Sequence, residues 1–284
     1  NDFNIKNNIN FTTYTGSTLD VIIGLIYLVK KYNTSCNTIY ENNFNINNQL
    51  QNYYESVGYT NDMKNHFLNF EILWVDFQLF FPENFNTGLK NCLKKNNIRF
   101  IIFPLGIEIK NASHANYLIF DKNNNEIERF EPNGSSSPIG INYNSHLLDE
   151  MLKKKFDKFN MNYISPKKFL PKIGFQSIDA YDKKNKKIGD PSGFCALWSM
   201  WYTENRLKHP NIERSELVNL LLKKFKINNI SFKNLIRNYS KFVIEIRNNL
   251  LSKSNIEIND WINLKFTNNQ LKTFIDNIKI YIRS

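Results

Sequence analysis

A thiol gains nucleophilicity where a helix begins, because the unpaired N–H groups of the first turn and the helix dipole favour the thiolate. Cys195 stands at such a place, in Gly193-Phe194-Cys195-Ala196-Leu197-Trp198-Ser199-Met200-Trp201-Tyr202, a glycine-bounded start to an apolar helix. Upstream lie His114, on an apolar run, and Glu131, in Phe130-Glu131-Pro132-Asn133-Gly134. An imidazole can take the thiol proton, and a carboxylate can fix the imidazole tautomer and offset its charge. The order His, acid, Cys therefore contains the parts of a nucleophilic hydrolase. A tetrahedral oxyanion also needs donors, which the Cys195 backbone N–H and an upstream amide side chain can supply, and Gln176 is the amide on the most ordered upstream segment. Asn133 is an alternative orienting group should Glu131 point away.

These residues need elements that bring them together. His114 to Asp121 and Glu126 to Phe130 read as two strands joined by the polar turn Lys122-Asn123-Asn124-Asn125, an antiparallel hairpin that can set His114 beside Glu131. Arg99 to Leu105 is a buried strand fed by a helix from Phe85 to Asn96. Asn144 to Phe159 reads as a helix with Ser145 as its cap, and Gly174 to Ile178 as a short strand. The Cys195 helix should run to about Leu207, before Pro210. Further helices are expected over Glu213 to Phe225, Phe232 to Ser252 and Asn268 to Ile280. Near the start, Thr18-Leu19-Asp20 leads a buried helix to Lys31, with Thr18 as the cap candidate. Asn37 to Asn52 is polar and irregular, and Met63 to Phe81 does not divide between helix and strand. The fold class is α+β, a small central mixed sheet flanked by helices. The expected division is an N-terminal helical or mixed region over 1–95, which holds substrate or packs on the core, and a catalytic domain over 96–284.

The 284 residues suffice for one substantial domain. A net charge of +11 invites a nucleic-acid reading, yet the lysines lie scattered or in polar loops without aromatic interleaving, which favours a solvated surface. Three cysteines, Cys36, Cys92 and Cys195, without CxxC or paired spacing, argue against a disulfide framework and a structural zinc site, and for a reducing compartment. Cys36 and Cys92 read as structural, and His66, His146 and His209 as surface or capping residues. The longest apolar stretch, Val21 to Val29, is too short to cross a bilayer, so no membrane contact is expected, and no cofactor or metal. Trp198, Trp201 and Tyr202 recur at helical spacing and read as core.

At these residues the chain resembles the superfamily of the adenoviral protease and the SUMO-type and ubiquitin-like proteases, whose members run His, Asp/Glu or Asn, Gln, Cys in this order. The Phe130-to-Gly134 string is the most specific part of the match. The run from Gly193 to Tyr202, with Arg206-Leu207-Lys208-His209-Pro210 behind it, also looks like the thiol proteases expected in giant DNA viruses. The resemblance covers roughly Arg99 to Pro210. It implies a papain-like cysteine protease core, with Cys195 as nucleophile, His114 as general base and acid, Glu131 as orienting partner and Gln176 as oxyanion donor. It implies a protein substrate, a ubiquitin or ubiquitin-like C-terminus first and a viral structural polyprotein second, in host cytoplasm or nucleus, or in a virion if the protein is viral. Ala115 stands where the family has Trp after His, and Ala196 where ubiquitin-like proteases have Gly. Gln176 lies 19 positions before Cys195, so a loop of Asp179 to Pro191 is expected between them. The reading from another class is an inactive basic protein that binds nucleic acid or an acidic partner.

Overall fold

The computed structural model describes residues 14–39, 44, 47–58, 69–109, 112–136, 143–182, 193–263 and 265–283. In chain order the elements are α1 (Thr18–Lys31), β1 (Ser35–Cys36), α2 (Asn48–Ser56), β2 (Ile72–Val75), β3 (Gln78–Phe80), α3 (Phe85–Lys94), β4 (Phe100–Ile109), β5 (Ala112–Asp121), β6 (Glu126–Phe130), α4 (Ser145–Asp157) and β7 (Asn162–Ile164). They continue with α5 (Phe175–Tyr181), α6 (Cys195–Lys208), α7 (Arg214–Ile227), α8 (Phe232–Tyr239), α9 (Lys241–Ser252), α10 (Ile258–Ile262) and α11 (Asn268–Arg283).

The fold is α+β around a mixed sheet of order β3-β2-β4-β5-β6-β7, with β1 also on β4. Pairs β4–β5, β5–β6 and β2–β3 are antiparallel, whereas β2–β4, β1–β4 and β6–β7 are parallel. β4 is a nearly continuous apolar run because helices cover both of its faces. Side chains alternate across a strand, so Phe100, Ile102, Tyr117, Ile119 and Phe130 face α1, α6 and the C-terminal helices, while Ile101, Phe103, Leu118, Phe120 and Ile127 face α3 and α4. The hairpin turn takes Asn125 into the left-handed region (φ 54°), which Asn tolerates.

α6 is buried from Ala196 to Leu207, which explains why its apolar residues are not confined to one stripe. Trp198 and Tyr202 are fully buried, as expected of core residues. The polar groups of α6 are paired, as burial requires. Glu204 accepts from Lys31 Nζ (2.7 Å) and Tyr32 (2.9 Å), and Glu128 accepts from Tyr202 (2.8 Å) and Arg206 Nε (3.2 Å). α1 approaches α6 closely at Gly24, where a Cβ would collide with the Met200 side chain. Buried Asp20 ties the start of α1 to α9, accepting from Thr15 N (3.1 Å), Thr15 Oγ1 (2.8 Å), Gly16 N (3.1 Å) and Arg247 Nη1 (3.2 Å).

Several local expectations are corrected. Gly174 to Ile178 enters a helix rather than a strand, because Gly174 N and Gln176 N are spent on Asn133 O and Pro132 O instead of a ladder. Asp179 to Tyr181 belongs to α5 and not to a loop. Asn144, not Ser145, caps α4, its side chain accepting from Leu147 N (3.0 Å). Thr18 is the first helical residue, with Ser17 at the cap position. The helix expected over Phe232 to Ser252 divides at Ser240, whose hydroxyl donates back to Arg237 O (2.7 Å). Asn48 to Asn52 and the chain to Ser56 are helical, and β2 and β3 lie in the stretch from Met63 to Phe81, while residues 40–43, 45–46 and 63–68 of these two stretches lie outside the described residues.

The reading against a disulfide is also corrected, since Cys36 and Cys92 are bridged, with Cα atoms 5.9 Å apart across 56 positions. Linear spacing carried no sign of it. The parallel pairing of β1 with β4 and the burial of α3 on the same sheet bring the two thiols together. The loop-closure entropy of such a crosslink is worth up to about 4 kcal/mol. Cys36→Ser is therefore expected to lower the urea midpoint of the oxidised protein and abolish its response to reductant; equal midpoints with and without reductant in wild type would refute the bridge.

Candidate active site

β6 ends its pairing at Phe130, opposite Tyr117, while β5 runs on towards Ala112 against β4 alone. The side of β5 that β6 leaves is where α6 begins. There the Ala115 N–H and the Ala196 N–H of the helix's first turn lie near enough to the Cys195 sulfur to favour its thiolate. Ser199 Oγ donates to Ala115 O (3.3 Å) and pins the helix to the strand. Cys195 is half-buried and is the free cysteine among the described residues.

His114 and Asn116 share a face of β5, two residues apart. His114 is buried, and its Nε2 lies 2.7 Å from Glu131 Oε1. Its Nδ1 makes no regular hydrogen bond and is left to the Cys195 thiol, with which the ring interacts. Glu131, also buried, follows β6 directly and accepts on both oxygens. Oε1 takes His114 and Asn133 N (2.9 Å), and Oε2 takes Asn116 Nδ2 (3.0 Å) and Tyr143 Oη (2.7 Å). Glu131 rather than Asn133 is thus the group bonded to the His114 ring, and Asn133 bonds Glu131.

The turn after Glu131 also holds Gln176. Gly134 (φ 98°) packs so closely that a Cβ there would lie 2.5 Å from Gly174 N and 2.7 Å from Pro171 O, so only glycine fits. Gly174 N donates to Asn133 O (2.8 Å) and Gln176 N to Pro132 O (2.9 Å). One turn therefore carries the acid and seats the first turn of α5. From there the Gln176 amide lies beside Gly193, two residues before Cys195, with Nε2 2.8 Å from where a Cβ on Gly193 would sit. Gln176 Oε1 is buried without a hydrogen-bond partner. Of the intervening segment, residues 183–192 lie outside the described residues.

The charges reinforce one another. Burial alone would push the Cys195 thiol up, but the contact with His114, the charge of its ring and the two nearby backbone N–H groups hold it below the ordinary thiol range. Burial alone would lower the His114 imidazole, yet the Glu131 charge and the Cys195 contact raise it to about 10. Glu131 is held at about 2 against burial by His114, Arg129 and the Asn133 N–H. These three shifts all favour the thiolate, imidazolium and carboxylate forms in sequence.

The structure brings Cys195, His114 and Glu131 together and sets Gln176 beside Gly193. Cys36 and Cys92 are structural, and His146 and His209 are exposed, while His66 lies outside the described residues. Three contributors were not foreseen: Asn116, Arg129 and Tyr143. The first two were open to inference, because Asn116 stands two residues after His114 and Arg129 two before Glu131, on the same strand faces. Nothing near Tyr143 marks it. No cluster of metal-binding residues is present among the described residues, and no helix there is long and apolar enough to cross a membrane.

Gly193→Ala is expected to displace the Gln176 amide rather than unfold the chain, because the Cβ meets the end of a flexible side chain. A lost oxyanion donor costs about 100-fold in kcat. Gln176→Ala should give a similar loss, and the double variant little more. An unchanged kcat in Gly193→Ala with intact melting would refute the expectation that Gln176 is an oxyanion donor.

No protein-family model matches the chain. It is 39% identical over 277 residues to a protein of Acanthamoeba polyphaga mimivirus named for ankyrin repeats, a match that takes in 94% of this chain and 36% of that protein. The chain thus spans about a third of the length of this curated relative. Among solved structures it is similar to the SUMO protease Ulp1 with its catalytic cysteine oxidised to a sulfenic acid, at 10% identity and TM-score 0.36, covering 83% of this chain and 80% of that one. It is similar to an ASFV protease at 12% identity and TM-score 0.38 (83% and 70% covered), and to ChlaDub1 from Chlamydia trachomatis at 10% identity and TM-score 0.35 (82% and 98% covered).

Proposed function

We propose that the chain is a cysteine peptidase. The observation that carries the reading is the buried file of Glu131, His114 and Cys195 at a helix start, with the Gln176 amide lying over Gly193. In this mechanism the Cys195 thiolate attacks a substrate carbonyl carbon, and the oxyanion is held by the Cys195 N–H and Gln176 Nε2. Collapse breaks the C–N bond. The leaving amine takes the His114 proton, and an acyl thioester remains on Cys195. His114, now neutral, draws a proton from water, hydroxide adds to the thioester, and the thiolate leaves as the carboxylic acid forms.

The preferred substrate is the C-terminus of ubiquitin or a ubiquitin-like protein, which makes the activity an isopeptidase. Endoproteolytic maturation of a viral structural precursor is the second reading, and similarity to a mimivirus protein is in keeping with its viral setting. A panel of ubiquitin-like proteins carrying a C-terminal electrophile tests the choice. The expected result is an adduct on wild type and none on Cys195→Ala. Cleavage of a capsid precursor without labelling would favour the second reading, and neither reaction by a folded wild-type chain would refute peptidase activity.

A further inference from the structure

Burying the acid of such a site creates a problem, since a carboxylate in a dry interior gains a proton unless donors surround it. Three of the groups that meet Glu131 need not be donors at all: an imidazole, an amide and a hydroxyl can each present a lone pair instead. Arginine has no such choice, because its guanidinium carries donors only. Arg129 is fully buried behind Glu131 and contacts the amide and the hydroxyl from the far side. Its Nη1 donates to Asn116 Oδ1 (2.6 Å) and to Tyr143 Oη (3.3 Å), and lies 3.7 Å from Glu131 Oε2.

We propose that Arg129 is a positioning residue of the active site: by occupying the acceptor sides of Asn116 and Tyr143 it obliges both to donate to Glu131, fixing that side chain as the carboxylate that holds His114. With its oxygen committed to Arg129, Asn116 must present Nδ2 to Glu131 Oε2. With a lone pair committed likewise, Tyr143 must send its proton to the same oxygen. The hydroxyl keeps that proton, because burial and the Glu131 charge both push its ionisation up. Arg129 is in turn held by Asp149 (Nε and Nη2 both at 2.8 Å from Oδ1), Ser145 Oγ (3.0 Å) and Tyr163 Oη (3.2 Å). α4 and β7 thereby support the chemistry from the side of the sheet opposite α6. Charged and titratable groups around Glu131 are His114 on β5, Arg129 on β6 and Tyr143 before α4, and Asn133 adds the neutral N–H of the turn.

The inference rests on the peptidase reading of this site, and the test separates the two. The rate of Cys195 alkylation by iodoacetamide is measured against pH on the oxidised full chain, with the adduct located by mass spectrometry, for wild type, Arg129→Gln, Tyr143→Phe and Tyr202→Phe. The last deletes a buried hydroxyl bonded to Glu128, away from the site. Arg129→Gln and Tyr143→Phe are each expected to raise the midpoint of the profile by about one pH unit, a tenfold fall in rate on its acid side. Tyr202→Phe should leave the midpoint where wild type has it. Tyr143→Phe is isosteric apart from one oxygen and decides the matter should Arg129→Gln fail to fold. A wild-type midpoint below the ordinary thiol range that Tyr143→Phe does not move overturns this inference alone. A wild-type midpoint in the ordinary range removes the peptidase reading and this one with it. An equal shift in Tyr202→Phe would mark the effect as general loosening of the core and also overturn it.

Discussion

Cys195→Ala is expected to abolish peptide or isopeptide hydrolysis, a loss of about 10,000-fold or more in kcat, with the fold intact. The size of the loss follows from the role proposed for the sulfur. Ala removes the atom that would form the thioester, and His114 alone can only assist direct attack by water. The fold should survive because Cys195 is half-buried at the first position of α6, and the helix is held instead by Trp198, Tyr202 and the Ser199 bond to Ala115. Steady-state turnover and thermal melting on the same preparation check both halves. Retained turnover in a pure Cys195→Ala sample would end the account.

His114→Ala is expected to cost a comparable factor, on the order of 10,000-fold, by a different route. The sulfur remains, but the two largest influences that lower its ionisation, the close contact and the charge of His114, are gone. Burial then acts against only the Ala115 and Ala196 N–H groups, so the thiol should rise and stay protonated at neutral pH. The sign is definite for the wild type. A lowered thiol ionises below its ordinary range, and a raised imidazole keeps its proton up to about 10, so the ion pair should extend below the ordinary thiol range and be lost above about pH 10. In the variant, activity should increase with pH through the range where wild type is flat. Glu131 keeps Asn116, Tyr143 and the Asn133 N–H, which should spare the fold.

The residues of the site were legible because each is tied to a local pattern. The glycine before an apolar helix marks Cys195, a polar turn between two β-type runs marks the pairing of His114 with Glu131, and Phe130 to Gly134 is a compact string. What escaped was set by contacts between distant segments. The Cys36–Cys92 bridge depends on a two-residue strand, β1, too short to have a periodicity. α5 is a seven-residue helix whose start is dictated by the turn at Pro132 to Gly134, so local propensity misread it. Tyr143 reaches Glu131 across 12 positions and carries no motif. Gln176 was the reverse case: its separation from Cys195 was unhelpful, but its place on the first turn of α5 brings it to Gly193.

The most direct test of the central claim, an ion pair between Cys195 and His114 backed by Glu131, is the pH dependence of Cys195 alkylation in the wild-type chain. The expected result is a midpoint below the ordinary thiol value of about 8.5, and a rise of that midpoint in His114→Ala. A rate that climbs tenfold per unit through pH 7 to a midpoint at or above about 8.5 would contradict it.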